Sequence, residues 1–159
     1  MLLIAETNKG LKKNIKDLIR ENFDSPSSQF RMRCDVCQDE TIDETQKQYA
    51  QETKIISHLS NILIIQVSKF DNYLKKIRRN ICPEDCFEIT SGETYELVSI
   101  INHIGTNHNS GHYVTFVKRE NSWLECNDKT ITARIKENII SDNNYLYLYQ
   151  KTSKAKKHT

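Results

Sequence analysis

Three histidines, His103, His108 and His112, crowd the stretch NHIGTNHNSGHYVTF at residues 102–116. Histidine changes charge near neutrality, so such a cluster reads as a metal site, a general base or plain packing. His108 and His112 are four residues apart, a spacing that aligns two ligands only on a helix, and NHNSGH has the composition of a loop. A lone histidine at a strand start would be a packing residue. The following strand changes that expectation, because SWLECND ends in Asn127 and Asp128. Antiparallel strands joined by a hairpin set the start of one beside the end of the next. Either residue is therefore placed to orient the His112 imidazole while its free nitrogen takes a proton from a nucleophile, the base and orienter of a nucleophilic triad.

A thiol is the natural nucleophile to look for. The chain has five cysteines, an odd number without a secretion signal, which points to thiols or metal ligands and not to a disulfide framework. Cys34 and Cys37 form a CxxC turn. A closed structural zinc site needs about four ligands, so this pair is a candidate half-site. Cys82 and Cys86, in CPEDC, lie beyond the next strand and read as loop or packing residues with no metal role. Cys126 alternates with Leu124 inside the strand that carries Asn127, facing the core or neighbouring the cleft.

The elements that must position these groups are mostly strands. Leu11, Ile15, Leu18 and Ile19 recur at helical spacing in LKKNIKDLIRENF, and DSPSS ends that helix. QFRMRCDVC alternates Phe30, Met32 and Cys34, a strand entering the CxxC turn, and the polar stretch 38–52 suits the second strand of a ribbon. NILIIQVSKF is a buried strand. YELVSIINHIG, HYVTFVKRE, SWLECND and NYLYLYQK are short β-rich runs between Gly, Asn and Ser turns. Trp123 reads as a core anchor, and Tyr145, Tyr147 and Tyr149 as an aromatic stripe of sheet packing. The fold class is α+β: one or two helices, then an antiparallel sheet.

Composition limits the rest. The 159 residues suit one domain or a piece of a larger one, and 37% hydrophobic against 28% charged residues describes a modest core. Nothing approaches a membrane span of about 18 apolar residues, and the N-terminus does not read as a signal peptide. A cytoplasmic or nuclear setting follows. A net charge of +2 does not argue for nucleic acid, and part of the basic excess sits in the C-terminal KTSKAKKHT, expected to be a disordered tail.

With these residues in view, the chain resembles a known family. YELVSIINHIGTNHNSGHYVTFVKRENSWLECNDKTI, followed by NNYLYLYQK, looks like the histidine box and final strand of the ubiquitin-specific proteases, the papain-like deubiquitinases. Their order is a Tyr-x-Leu strand, His-x-Gly, Gly-His-Tyr, a Trp strand ending in Asn-Asp or Asp-Asp, and a Tyr-x-Leu-x-Tyr strand. HLSNILIIQVSKF resembles the family segment that usually reads Leu-Pro-x-x-Leu and ends in Lys-Arg-Phe, with Ser60 where Pro is common. CDVC resembles the second CxxC of the zinc ribbon in the fingers subdomain. The similarity runs from about Leu11 to Lys151 and is weakest between Tyr73 and Glu93.

The resemblance implies a USP-type, papain-like α+β catalytic domain in residues 1–150, with a fingers remnant at 28–56, a palm at 57–150 and a basic tail at 151–159. It implies His112 as general base, Asn127 as its orienter and Asp128 as a neighbour that helps the oxyanion. His103, Gly105, Gly111 and Tyr113 would line the channel for the ubiquitin C-terminal tail. No cofactor is required for catalysis, and structural zinc at Cys34 and Cys37 is a possible addition. Ubiquitin or ubiquitinated proteins are the implied partners, with no nucleic acid and no membrane.

The departure is at the start of the family pattern. No run resembles the cysteine box, Gly-Leu-x-Asn-x-Gly-Asn-x-Cys, and none of the five cysteines follows such a run or opens a helix that would stabilise a thiolate. The sequence thus reads as a fragment that is inactive alone and needs a missing thumb segment, whose absent packing predicts poor solubility. A catalytically inactive ubiquitin-binding module is the alternative. A zinc-dependent interaction module is less favoured, given the gap between Cys37 and Cys82.

Overall fold

The computed structural model describes residues 2–4, 13–23, 29–32, 48–51, 54–71, 73–77, 81–89, 92–107 and 109–152. In chain order these form β1 (Leu2–Ile4), β2 (Lys13–Asn14), α1 (Ile15–Phe23), β3 (Gln29–Met32), β4 (Gln48–Gln51), β5 (Ile62–Val67), β6 (Ile81–Cys82) and β7 (Cys86–Ile89). They continue with β8 (Glu93–Ile104), β9 (His112–Arg119), β10 (Ser122–Asn127), β11 (Thr130–Arg134), a 3-10 turn (Lys136–Asn138) and β12 (Asn144–Thr152). One mixed sheet dominates, in the order β1-β5-β12-β8-β9-β10-β11, with β7 also paired to β8. All its pairings except β1 with β5 are antiparallel.

The long strand β8 is the spine. Its 12 residues span about 40 Å. Its first half pairs with β7 through Glu93–Glu96 and its second half with β9 through Ser99–Ile104, while β12 runs along the other edge. Alternation along the strands buries Leu63, Ile65, Val67, Tyr147, Tyr149, Leu97, Val114, Phe116 and Trp123, and Ile15, Leu18 and Ile19 of α1 join that single core. Trp123 is the anchor that its strand position predicted.

The helix is shorter than its apolar spacing suggested. It starts at Ile15 because Asn14 caps it: Asp17 N donates to Asn14 Oδ1 at 2.7 Å. Lys13 and Asn14 instead pair in parallel with Ile81 and Cys82, and Leu11 lies outside the described residues. A second acceptor comes from far along the chain. Glu84 receives Ile15 N at 3.0 Å and Lys16 N at 3.3 Å, so a carboxylate meets the positive end of the helix. The expected ribbon is present as the antiparallel pair β3–β4, with Phe30 opposite Ala50. Residues 153–159 and the CxxC turn lie outside the described residues.

Candidate active site

His112 opens β9 and Asn127 closes β10. The two strands are joined through Glu120 and Asn121, between the partners Arg119 and Ser122, and Glu120 takes the turn's left-handed conformation at φ 53°. That tight turn fixes register. Cys126 pairs with Thr115, so one further step sets Asn127 beside Val114, two residues along from His112 and on the same face. The side chains meet: His112 Nε2 lies 2.7 Å from Asn127 Oδ1. An amide oxygen only accepts, so Nε2–H donates and the Nδ1 lone pair is left to take a proton. The pair sits at the open end of the core face, with His112 exposed.

Asp128 has a different place. It forms the β10–β11 turn with Lys129, between the partners Asn127 and Thr130, and holds φ 51°, a conformation that Asp tolerates better than most residues. Among the described residues its side chain makes no hydrogen bond. The alternative left open by spacing is thus resolved by the turn: Asn127 stays in the ladder and meets His112, while Asp128 leaves it.

The other three residues expected near the tail channel gather around His103. His103 pairs with Tyr113 across the β8–β9 hairpin, and Ile104 pairs with His112. Its ring is 3% exposed, packed 5.0 Å from the Tyr113 ring, 5.7 Å from Phe70 and 6.2 Å from Tyr145 between centroids. Gly105 and Gly111 close over it. A Cβ on Gly111 would stand 2.4 Å from His103 Nε2, and one on Gly105 would stand 2.5 Å from the Ser110 carbonyl oxygen and 3.0 Å from His103 Cε1, so only glycine lets the backbone come this near. Burial pushes the imidazole below the usual histidine range, and the Lys76 ammonium acts in the same direction. Tyr113 is 56% exposed, a surface ring beside the candidate base and not a core residue.

Several residues at this end carried no signal in the sequence reading. Lys76 donates to the His103 carbonyl oxygen and, at 2.8 Å, to Asn143 Oδ1. His103 N donates to the Asn143 carbonyl at 2.9 Å. Asn144, fully buried, donates to Asn102 Oδ1 and to Ile139 O at 2.8 Å. Tyr145 departs from the stripe: register shifts between Asn144 and Leu146 bring its ring against Phe70 and His103, while Tyr147 and Tyr149 stay in the core. A bulge re-aims a side chain in this way.

The three described cysteines do not join the site. Cys82 is half-buried, Cys86 exposed and Cys126 half-buried, the last facing away from its neighbour Asn127 as alternation requires. Cys34, Cys37 and His108 lie outside the described residues, and among those described no group of three or more His, Cys, Asp and Glu could hold a metal ion.

Comparison with known proteins bears on this geometry. The model of the family described as ubiquitin carboxyl-terminal hydrolase matches residues 3–149. Human ubiquitin carboxyl-terminal hydrolase 17-like protein 10 is 24% identical over 136 residues, covering 79% of this chain and 24% of that protein. Human ubiquitin carboxyl-terminal hydrolase 13 is 40% identical over 58 residues, 36% of this chain and 6% of that one. Among solved structures, the SAGA Ubp8/Sgf11/Sus1/Sgf73 DUB module bound to ubiquitin aldehyde superposes with a TM-score of 0.66 at 18% identity, over 95% of this chain and 35% of that chain. The fold is the papain-like one of these catalytic domains. The chain spans about a quarter or less of the length of the first curated relatives it matches.

Proposed function

The chain belongs to the ubiquitin carboxyl-terminal hydrolase family, and from that premise we propose that it supplies the base half of a thiol-dependent deubiquitinase. The observation that carries the reading is the 2.7 Å contact between His112 Nε2 and Asn127 Oδ1, which leaves Nδ1 as a proton acceptor at an exposed strand end. The nucleophile is a cysteine outside this sequence, since none of the five present lies in a cysteine-box run.

The chemistry then follows from the base. A thiol delivered near His112 gives its proton to Nδ1, and the thiolate attacks the carbonyl of ubiquitin's terminal glycine. Asn127 holds the ring in one tautomer and orientation through both states. The imidazolium returns the proton to the departing lysine amine, leaving a thioester. Water attacks that thioester as His112 takes its proton, which frees the ubiquitin carboxylate and restores the thiol. Gly105, Gly111 and Tyr113 border the approach for the tail, Asp128 stands at its rim, and ubiquitin is the partner.

The test mixes this chain with a separately expressed segment carrying a relative's cysteine box and follows a fluorogenic ubiquitin amide. Turnover with both pieces and none with either alone is the expected result. The missing cysteine box favours a second reading, a ubiquitin-binding module without catalysis; ubiquitin bound by the chain with no turnover in the mixture would select it. Neither binding nor turnover overturns both.

A further inference from the structure

We infer that His103 is a positioning residue: its buried ring is the floor on which the Gly105–Gly111 loop closes, and it thereby sets where the backbone enters β9 at His112. This inference rests on the reading of His112 as base. His103 cannot reach the reacting atoms itself. Consecutive residues of a strand point to opposite faces, and the pairings His103 with Tyr113 and Ile104 with His112 put the two imidazoles on opposite faces of one hairpin.

The contact runs through backbone. Gly111 directly precedes His112, and the space where its Cβ would lie is taken by His103 Nε2 at 2.4 Å and Cε1 at 3.0 Å. A Cβ on Gly105, at the other end of the loop, would stand 2.5 Å from the Ser110 carbonyl oxygen, 3.0 Å from the same Cε1 and 3.1 Å from Gly111 Cα. Both ends of the turn therefore rest on one ring edge.

His103 is itself held from several sides, through its backbone and through its ring. The His103 amide donates to the Asn143 carbonyl at 2.9 Å, Lys76 Nζ donates to the His103 carbonyl oxygen, and Phe70, Tyr113 and Tyr145 surround the imidazole. The loop has its own tie in Asn107 Oδ1, which accepts Asn109 N at 3.0 Å and Ser110 N at 3.1 Å. Those bonds shape the turn, Lys76 N ties it to the neighbouring segment by donating to Thr106 O at 3.1 Å, and the ring supports its two glycine ends. What the loop needs from position 103 is a planar group of this size. Among the described residues His103 Nδ1 has no hydrogen-bond partner, so that nitrogen is not what anchors the ring.

The experiment reads the His112 ring directly, by long-range proton–nitrogen NMR on the full chain with labelled histidine. In the parent chain, His112 shows protonated Nε2 and unprotonated Nδ1. His103→Phe, which keeps a ring, should keep that pattern. His103→Leu should blur it, and His103→Ala should bring it to an average of tautomers. Thermal melts identify which variants are folded, and His103→Leu carries the test if His103→Ala melts. A folded His103→Leu or His103→Ala chain with the parent pattern, or a folded His103→Phe chain that has lost it, overturns the inference. In the complemented reaction kcat falls by about 10²-fold for His103→Ala with KM little changed, as a small misplacement of a base predicts. If the deubiquitinase reading fails, turnover is missing for every chain while the NMR ordering of the variants persists; if only the inference fails, turnover is present and the ordering is not.

Discussion

The two ends of β8 are built from opposite materials. Near Tyr95 and Leu97 the strand lies in an apolar layer, with Phe87, Tyr149 and α1 packed around it. Near Asn102 and His103 the buried groups are polar: Lys69, Asn102, His103 and Asn144 are each under 10% exposed and tied by hydrogen bonds to backbone or to one another. Apolar contact is non-directional and tolerates small shifts, whereas a satisfied hydrogen bond specifies a position. The first end holds the sheet together; the second fixes atoms within it. A general base belongs at the second end, since its partner must sit at hydrogen-bond distance.

Substitutions can pull the two ends apart. The largest effect is expected at His112→Ala, which should cut turnover of the complemented enzyme by about 10⁴-fold. Its melt should move by less than about 0.5 kcal/mol, because the side chain is exposed. Unchanged turnover in this variant would end the assignment of base. Leu97→Ala should do the reverse. It empties a fully buried site and is expected to cost about 2–5 kcal/mol of stability, with the parent tautomer pattern of His112 intact in the folded fraction. Loss of that pattern would mean that the two ends are not separable.

Smaller effects sharpen the contrast. Glu84→Ala removes the carboxylate that accepts Ile15 N and Lys16 N at the start of α1, leaving the Asn14 cap, and should lower stability by about 1 kcal/mol with no change at His112. The smallest is a pH effect at the polar end. His103 faces the Lys76 ammonium and the Tyr113 and Tyr145 rings, and burial holds its folded pKa below the ordinary value. The unfolded chain then binds the proton first, so stability falls as pH drops below about 6.5. Comparing denaturant melts of the parent and His103→Phe across that range should show a shallower acid slope in the variant.

Part of this site was legible in the sequence because it depends on period and local turns. Alternation from Tyr113 to Val117 and from Trp123 to Cys126 announced two strands, and the short EN segment between them made His112 and the Asn127–Asp128 pair neighbours. What spacing left open was which of the two meets the imidazole, and that turned on the φ of 51° that takes Asp128 out of the ladder. The start of the helix was hidden for a related reason: helical spacing alone does not mark a limit, whereas the Asn14 side chain caps the helix at Ile15.

The sequence by itself determined the main strands of the sheet, the family resemblance and a candidate base with two candidate partners, because each is encoded within a few neighbouring residues, whereas short strands such as Ile81–Cys82, Cys86–Ile89 and Thr130–Arg134 carried no such pattern. Only the tertiary structure decided what surrounds them. Lys76 reaches His103 across 27 positions and Asn143 across 67, and Glu84 meets Ile15 across 69. Tyr145 turns to His103 through a bulge in β12 that no periodicity marks. Such contacts exist only once the strands are stacked in register, for a side chain finds a distant partner through the fold of the chain between them and not through its own type or spacing.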